Sequence, residues 1–238
     1  MKIDRLSVKN FRCYREYNVT FSEGINVIIG ENATGKTSLA EAVFALSFTK
    51  SPRISDEKVL IKDGCDNFFS YCIIPFVRGK CRSKDKDQVI KEITDLVNNG
   101  YQEVVLTGIH TGNYGVDLNT NFAKLLKELV KIEKLKRLRI SSIEITELTD
   151  EVLEVIKDNK VIVDHMHIPL QAGSDEILSS MNRKYDTKYF KEKIEKIRKI
   201  RPNISITTDV ITGFPGETDE LFIEAYNFIK EIGFTKLH

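Results

Sequence analysis

From residue 65 onward the sequence alternates short apolar, β-branched runs with longer stretches whose apolar residues recur at helical spacing. The runs at 71–75 (YCIIP), 103–107 (EVVLT), 137–142 (RLRISS), 161–168 (VIVDHMHI) and 204–211 (ISITTDVI) read as strands. Between them, 85–99, 121–133, 148–158, 175–200 with a break, and 217–231 read as helices, and Phe234–His238 begins a sixth strand. Successive strand–helix units on one chain predict a parallel sheet, closed or partly closed, with its chemistry at the C-terminal ends of the strands. The expected class is α/β.

The first 64 residues follow a different order. Residues 2–8 and 16–29 carry alternating or apolar runs typical of strands, and 37–47 (TSLAEAVFALS) reads as a helix. Between strand and helix lies Gly30-Glu31-Asn32-Ala33-Thr34-Gly35-Lys36-Thr37, a match to G-x-x-x-x-G-K-[ST] in the setting that motif needs. Gly30, Asn32 and Gly35 belong to a loop whose backbone N–H groups surround phosphates; Lys36 reaches the β/γ-phosphates and the Thr37 hydroxyl holds Mg²⁺. ATP with Mg²⁺ is the expected ligand. The boundary between the two patterns falls near Asp63–Cys65, without a flexible linker, so the expected domains are 1–64 and 65–238.

Charge and cysteine usage narrow the function classes. With 36 Lys+Arg against 35 Asp+Glu the formal net charge is +1, which argues against a polybasic nucleic-acid surface over the whole chain. The start lacks the apolar core of a signal peptide, and no apolar run reaches the length of a membrane span; a cytoplasmic, membrane-free protein is expected. Three of the four cysteines, Cys65, Cys72 and Cys81, fall within seventeen residues. In a reducing compartment such a cluster suggests metal or iron–sulfur ligation before disulfides.

Two resemblances meet without overlap. Residues 1–62, with LSVKNFRCY, the GEN..GKT loop, SLAEAVFALS and SPR, resemble the start of the RecF branch of SMC-like ABC ATPases. That family's signature helix does not follow, and Val161–Asp164, the one run at Walker B spacing, fits better as a barrel strand. Independent ATPase activity is not expected.

Residues 62–238 resemble the tRNA methylthiotransferases of the radical S-adenosylmethionine (SAM) enzymes, in particular the branch acting on threonylcarbamoyl-adenosine beside the anticodon. The resemblance rests on CDNF..YCIIPFVRG, NNGYQEVVLTGIHTGNYG, RLRISSIE, HIPLQAGSDEILSSMNRKY and TTDVITGFPGETDELF, in that family's order and spacing. It implies a partial (β/α)6-type barrel and a C-x-x-x-C-x-x-C loop holding a [4Fe–4S] cluster that cleaves SAM, with tRNA as partner. Cys65 and Cys72 stand at the first and last ligand positions, and Phe69 stands at the middle one. The resemblance further implies that Thr107, Gly108, Ser142, Glu144, Gln171, Ser174, Asp209 and Gly213, at or after strand ends, line the SAM pocket.

His110 and His167 read as site-adjacent polar residues rather than metal ligands, and Cys81, nine residues beyond Cys72, as a packing residue or free thiol. A phenyl ring has no lone pair for iron, so the cluster is expected to be labile or absent and the activity impaired. The family's N-terminal cluster domain and C-terminal RNA-binding barrel are not recognised, and the chain reads as a fusion of two truncated pieces. Two other readings stay open: an ATP-binding module related to DNA-repair ATPases, with DNA as partner, and a non-catalytic remnant.

Overall fold

The computed structural model describes residues 5–11, 14–22, 24, 39 and 57–238. The chain divides into two compact units, Met1–Ser55 and Asp56–His238. In the first, β1 (Arg5–Phe11) and β2 (Tyr14–Thr20) pair antiparallel, from Arg5 opposite Thr20 to Phe11 opposite Tyr14. Cys13 and the phosphate-loop residues Gly30, Asn32, Gly35, Lys36 and Thr37 lie outside the described residues.

The second unit opens with β3 (Glu57–Asp63), a strand the sequence pattern does not single out. Its alternation is nonetheless clear: Val59 and Ile61 are fully buried while Leu60 between them is 49% exposed. The junction expected at residues 63–65 therefore sits upstream of β3, at Ser55/Asp56. The stretch 71–75, expected as the first barrel strand, is instead a loop running into the short helix α1 (Ile74–Arg78). Pro75 explains the difference: it has no N–H to give a sheet ladder, and its fixed φ suits the first turn of a helix.

From there the expected alternation holds. After β4 (Arg82–Ser83) come α2 (Lys86–Asn98), β5 (Glu103–Gly108), α3 (Phe122–Leu129), β6 (Arg137–Ile140), α4 (Asp150–Asp158) and β7 (His165–His167). The chain continues through α5 (Asp175–Ser180), α6 (Thr187–Ile200), β8 (Ser205–Thr208), α7 (Asp219–Ile232) and β9 (Lys236–Leu237). Side chains of Asp85, Asn121, Thr149, Asp186 and Thr218 accept backbone N–H groups at helix starts, which fixes where each crossover helix begins.

The strands form two sheets, β4-β3-β5-β6 and β7-β8-β9, parallel throughout except for the antiparallel β3–β4 pair. Single parallel bridges, Leu138 with Ile162 and Ser142 with His167, carry the curvature from one sheet to the next. The result is a partial (β/α)6-type barrel with helices on its outer face. Val59, Ile61, Val104, Leu106, Leu138, Ile140, Met166 and Ile206 meet Val89, Ile93, Leu125, Leu126, Val152, Ile156, Ile194 and Ile197 in one apolar core. Each such side chain contributes about 1.5–3 kcal/mol by leaving water. No helix among the described residues is long and apolar enough to cross a membrane.

Gly64 closes β3 with φ +73°, and a Cβ there would stand 2.0 Å from the Lys80 carbonyl oxygen. Gly100 has φ +94° and open space. Gly100→Ala is expected to cost about 1–2 kcal/mol through backbone strain alone, and Gly64→Ala roughly 3 kcal/mol or more because the backbone itself must move. Urea unfolding of the two variants checks the difference; equal losses would show that the approach to Lys80 does not matter.

Candidate functional site

The cysteine loop starts where β3 ends. Cys65 is buried, its N–H donates to the Gly79 carbonyl at 3.0 Å, and that bond closes the loop 65–79. The Cys65 sulfur accepts the Asn67 N–H at 3.4 Å, and burial pushes its thiol above the ordinary pKa. Cys72 is half-buried, with its N–H on the Phe69 carbonyl at 3.0 Å. Cys81 lies beyond the loop, its sulfur 2.9 Å from the Lys62 amine.

A second segment grips this loop. The break between α5 and α6, Met181–Asp186, lets six consecutive residues work outside a helix, with Asn182 in the left-handed region at φ +60°. The Met181 carbonyl accepts the Ser70 N–H at 3.3 Å, and the Ser180 carbonyl accepts the Ser70 hydroxyl at 2.9 Å. Asn182 donates to the Phe68 carbonyl at 2.7 Å, and Lys184 donates to the Asn67 side-chain oxygen at 3.0 Å. Tyr185 anchors the segment from behind, its hydroxyl donating towards the Pro169 and Leu170 carbonyls.

Arg183 lies at the centre with 2% of its side chain exposed. One guanidinium nitrogen donates to both carboxylate oxygens of Glu144, at 2.8 and 2.9 Å, and another donates to the Tyr71 hydroxyl. Its Cζ sits 4.0 Å from the centroid of the Phe69 ring, which also stacks on Tyr71 at 6.1 Å and approaches His110 at 6.1 Å. Burial works against the guanidinium charge, but Glu144 outweighs it and the Arg183 pKa is raised. Behind this, His110 Nδ1 stands 2.7 Å from the Glu147 carboxylate, whose side chain is 3% exposed and also accepts the Gly112 and Glu144 N–H groups. Asn67 bonds the His110 ring, so the buried acid is connected back to the cysteine loop.

The residues expected to line a cofactor pocket divide in two groups. Thr107, Gly108, Ser142, Glu144, Gln171 and Asp209 lie at or just past the C-terminal ends of successive parallel strands. Ser142 bridges to His167, the Gln171 N–H donates to the Asp209 carbonyl at 2.8 Å, and the Asp209 carboxylate lies 3.1 Å from His167 Nε2. Gly213, at φ +71°, is exposed beside Phe214, whose ring meets Tyr71 edge-on at 6.3 Å. Ser174 is fully buried at the start of α5, and its hydroxyl has no partner. Arg183, Glu147, Asn67 and Lys184 were not expected as site residues; the words MNRKY and CDNF contain three of them, but a buried ion pair leaves no mark in periodicity.

The donor set decides what the loop can hold. At the middle cysteine position of the C-x-x-x-C-x-x-C pattern that the resemblance implies stands the Phe69 ring, packed on a cation, and among the described residues no three His, Cys, Asp or Glu side chains come close enough to hold a metal ion. The residues present do not fit a cluster bound by three thiolates.

Arg183→Met leaves the half-buried Glu144 without its partner and is expected to cost about 3–5 kcal/mol. The double change Arg183→Met with Glu144→Gln should recover part of that loss, because no charge is then stranded. A denaturation cycle over the three variants measures it; additive losses would contradict the pairing.

Comparison with known proteins agrees with this architecture. Residues 59–229 match the family model of the radical SAM superfamily, and residues 1–60 match an AAA domain model. Over 205 residues the chain is 50% identical to the threonylcarbamoyladenosine tRNA methylthiotransferase MtaB of Bacillus subtilis, covering 85% of this chain and 45% of that protein. It is 43% identical over 178 residues to a tRNA-2-methylthio-N(6)-dimethylallyladenosine synthase of Lachnoclostridium phytofermentans, covering 74% of this chain and 39% of the other. The chain thus spans less than half the length of these curated relatives. Among solved structures, the radical S-adenosylmethionine methyltransferase TsrM of Kitasatospora setae shares the fold with a TM-score of 0.64 at 17% identity, over 76% of this chain and 36% of that one. Coproporphyrinogen III oxidase HemN of Escherichia coli does so with a TM-score of 0.53 at 15% identity, over 76% and 43%. A family match over most of the chain, on a parallel strand–helix barrel with its cysteine loop after the first strand, establishes that this chain belongs to the radical SAM superfamily.

Proposed function

We propose that residues 56–238 are the barrel of a tRNA methylthiotransferase of the threonylcarbamoyl-adenosine branch in which the redox centre has been lost while the binding surface remains. The identity to the Bacillus subtilis relative supports the lineage. The loss rests on one observation: the Phe69 ring lies 4.0 Å from the Arg183 guanidinium carbon at the position where the resemblance requires a thiolate. Thr107, Gly108, Ser142, Glu144, Gln171, Asp209 and Gly213 remain as the groups proposed to meet SAM, and an adenosine of tRNA is the proposed macromolecular substrate. Ser174, fully buried with an unpartnered hydroxyl, stays in that proposed set. A tRNA partner places the protein in the cytoplasm.

Anaerobic reconstitution with iron and sulfide tests this reading. The chain as it stands is expected to take up much less than one cluster, and Phe69→Cys is expected to raise the content towards four irons per chain, with the optical and paramagnetic signature of a [4Fe–4S] centre. A full, stable complement in the unmodified chain would overturn the proposal, as would no gain in the Phe69→Cys variant.

A second reading concerns the first unit and is favoured by the AAA domain match over residues 1–60. We infer that Gly30–Thr37 binds ATP with Mg²⁺, as a nucleotide-binding module of the DNA-repair kind. Equilibrium binding should weaken at least tenfold, about 1.4 kcal/mol, in Lys36→Ala; equal affinity of the two chains would remove this reading.

A further inference from the structure

Lys62 closes β3 with its side chain 2% exposed, a place where lysine ordinarily needs a carboxylate. Its amine instead contacts the Cys81 sulfur at 2.9 Å and the Ile109 carbonyl at 3.2 Å. Asp63, next in sequence, is engaged by Arg78 and Arg82, each at 3.6 Å. Cys81 in turn borders a cavity of about 290 Å³ lined by Asp66, Asn67, Lys80, His110, Asn113 and Asp117. A small oxidant entering that cavity meets Cys81, and Lys62, which does not line the cavity, holds its amine 2.9 Å from the Cys81 sulfur.

We propose that Cys81 and Lys62 form an oxidative cross-link, with hydrogen peroxide or an organic hydroperoxide as the oxidant. In the first step the Cys81 sulfur attacks the peroxide. The O–O bond breaks, the sulfur becomes a sulfenic acid, oxidised by two electrons, and water or an alcohol leaves. In the second step the Lys62 ammonium releases one proton to solvent, and the lone pair so freed attacks that sulfur. The N–S bond forms, the S–O bond breaks, and the departing hydroxide takes one amine proton to leave as water. The product is a sulfenamide joining residues 62 and 81, lacking two hydrogens relative to the reduced pair. A thiol reductant returns both side chains.

Proximity selects this product. Cys65 is another thiol in the neighbourhood, its sulfur engaged with the backbone of Asn67 as the Cys81 sulfur is with the Gly64 carbonyl. The Lys62 amine already touches the Cys81 sulfur, so the second step needs no rearrangement of the chain. Burial raises the Cys81 pKa and the Lys62 charge pulls it back, so the thiolate fraction sets the rate and the neighbouring amine sets the product. Because residues 62 and 81 bracket the whole cysteine loop, the bond converts that loop into a closed ring.

The experiment treats the full-length chain with hydrogen peroxide, blocks free thiols, digests and identifies peptides by mass spectrometry. The expected product joins the Lys62 and Cys81 peptides at the sum of their masses less two hydrogens, blocks tryptic cleavage after Lys62, and is released by a thiol reductant. It should persist in Cys65→Ser and vanish in Cys81→Ser and in Lys62→Arg, which keeps the charge but has no primary amine. A Cys65–Cys81 disulfide, a Cys81 sulfinic or sulfonic acid without linkage, a ring to the Arg82 backbone nitrogen, or an unmodified Cys81 would each overturn the proposal.

Discussion

A guanidinium with 2% of its side chain exposed is the constraint on which the rest of this site depends. Removing such a charge from water costs several kcal/mol, and it is tolerated only where partners replace the lost hydration. Glu144 supplies two charge-assisted bonds, Tyr71 a hydroxyl, and Phe69 the face of a ring. These partners come from two places, the segment after β6 and the cysteine loop, and Arg183 itself stands on a third, between α5 and α6. Satisfying one buried charge therefore fixes the relative positions of all three.

Phe69 changes its meaning in that light. In the proposed function it stands where the family resemblance expects a thiolate. As an aromatic face on a desolvated cation it contributes up to about 2 kcal/mol, and it stacks on Tyr71 as well. On the proposed reading the ring leaves no hole at that position, because packing takes the place of metal coordination. The surrounding clamp does not depend on that exchange, since Ser70, Asn67 and Phe68 are held through backbone and amide groups by residues 180–184.

Much of the barrel was legible in the sequence because period-2 and period-3.6 patterns are imposed by burial on one face, and the strands at 103–108, 137–140, 165–167 and 205–208 follow them. The first strand was not. EKVLIKD is flanked by lysines and carries only three apolar residues, whereas YCIIP is dense in apolar groups yet lies partly exposed because Pro75 ends any ladder. The site was legible in part: the strand-end residues and Cys65 stand where spacing put them. Ser174 is less legible, because a serine before a helix reads alike whether it caps, binds or is enclosed. Arg183, Glu147 and Lys62 were missed for a common reason: a buried charge is defined by partners 19 to 112 positions away in sequence, which no local pattern encodes.

The central claim is that this chain's own polar contacts, and not a bound metal, set the cysteine loop in place. Hydrogen exchange on the iron-free chain measures that at the Cys65 and Ser70 amides, which bond to the Gly79 and Met181 carbonyls. The account predicts protection at both on the order of a hundredfold, about 2.7 kcal/mol of opening free energy. Exchange of these amides at the rate of an unstructured peptide, with the core of β5 and β8 still protected, would contradict it.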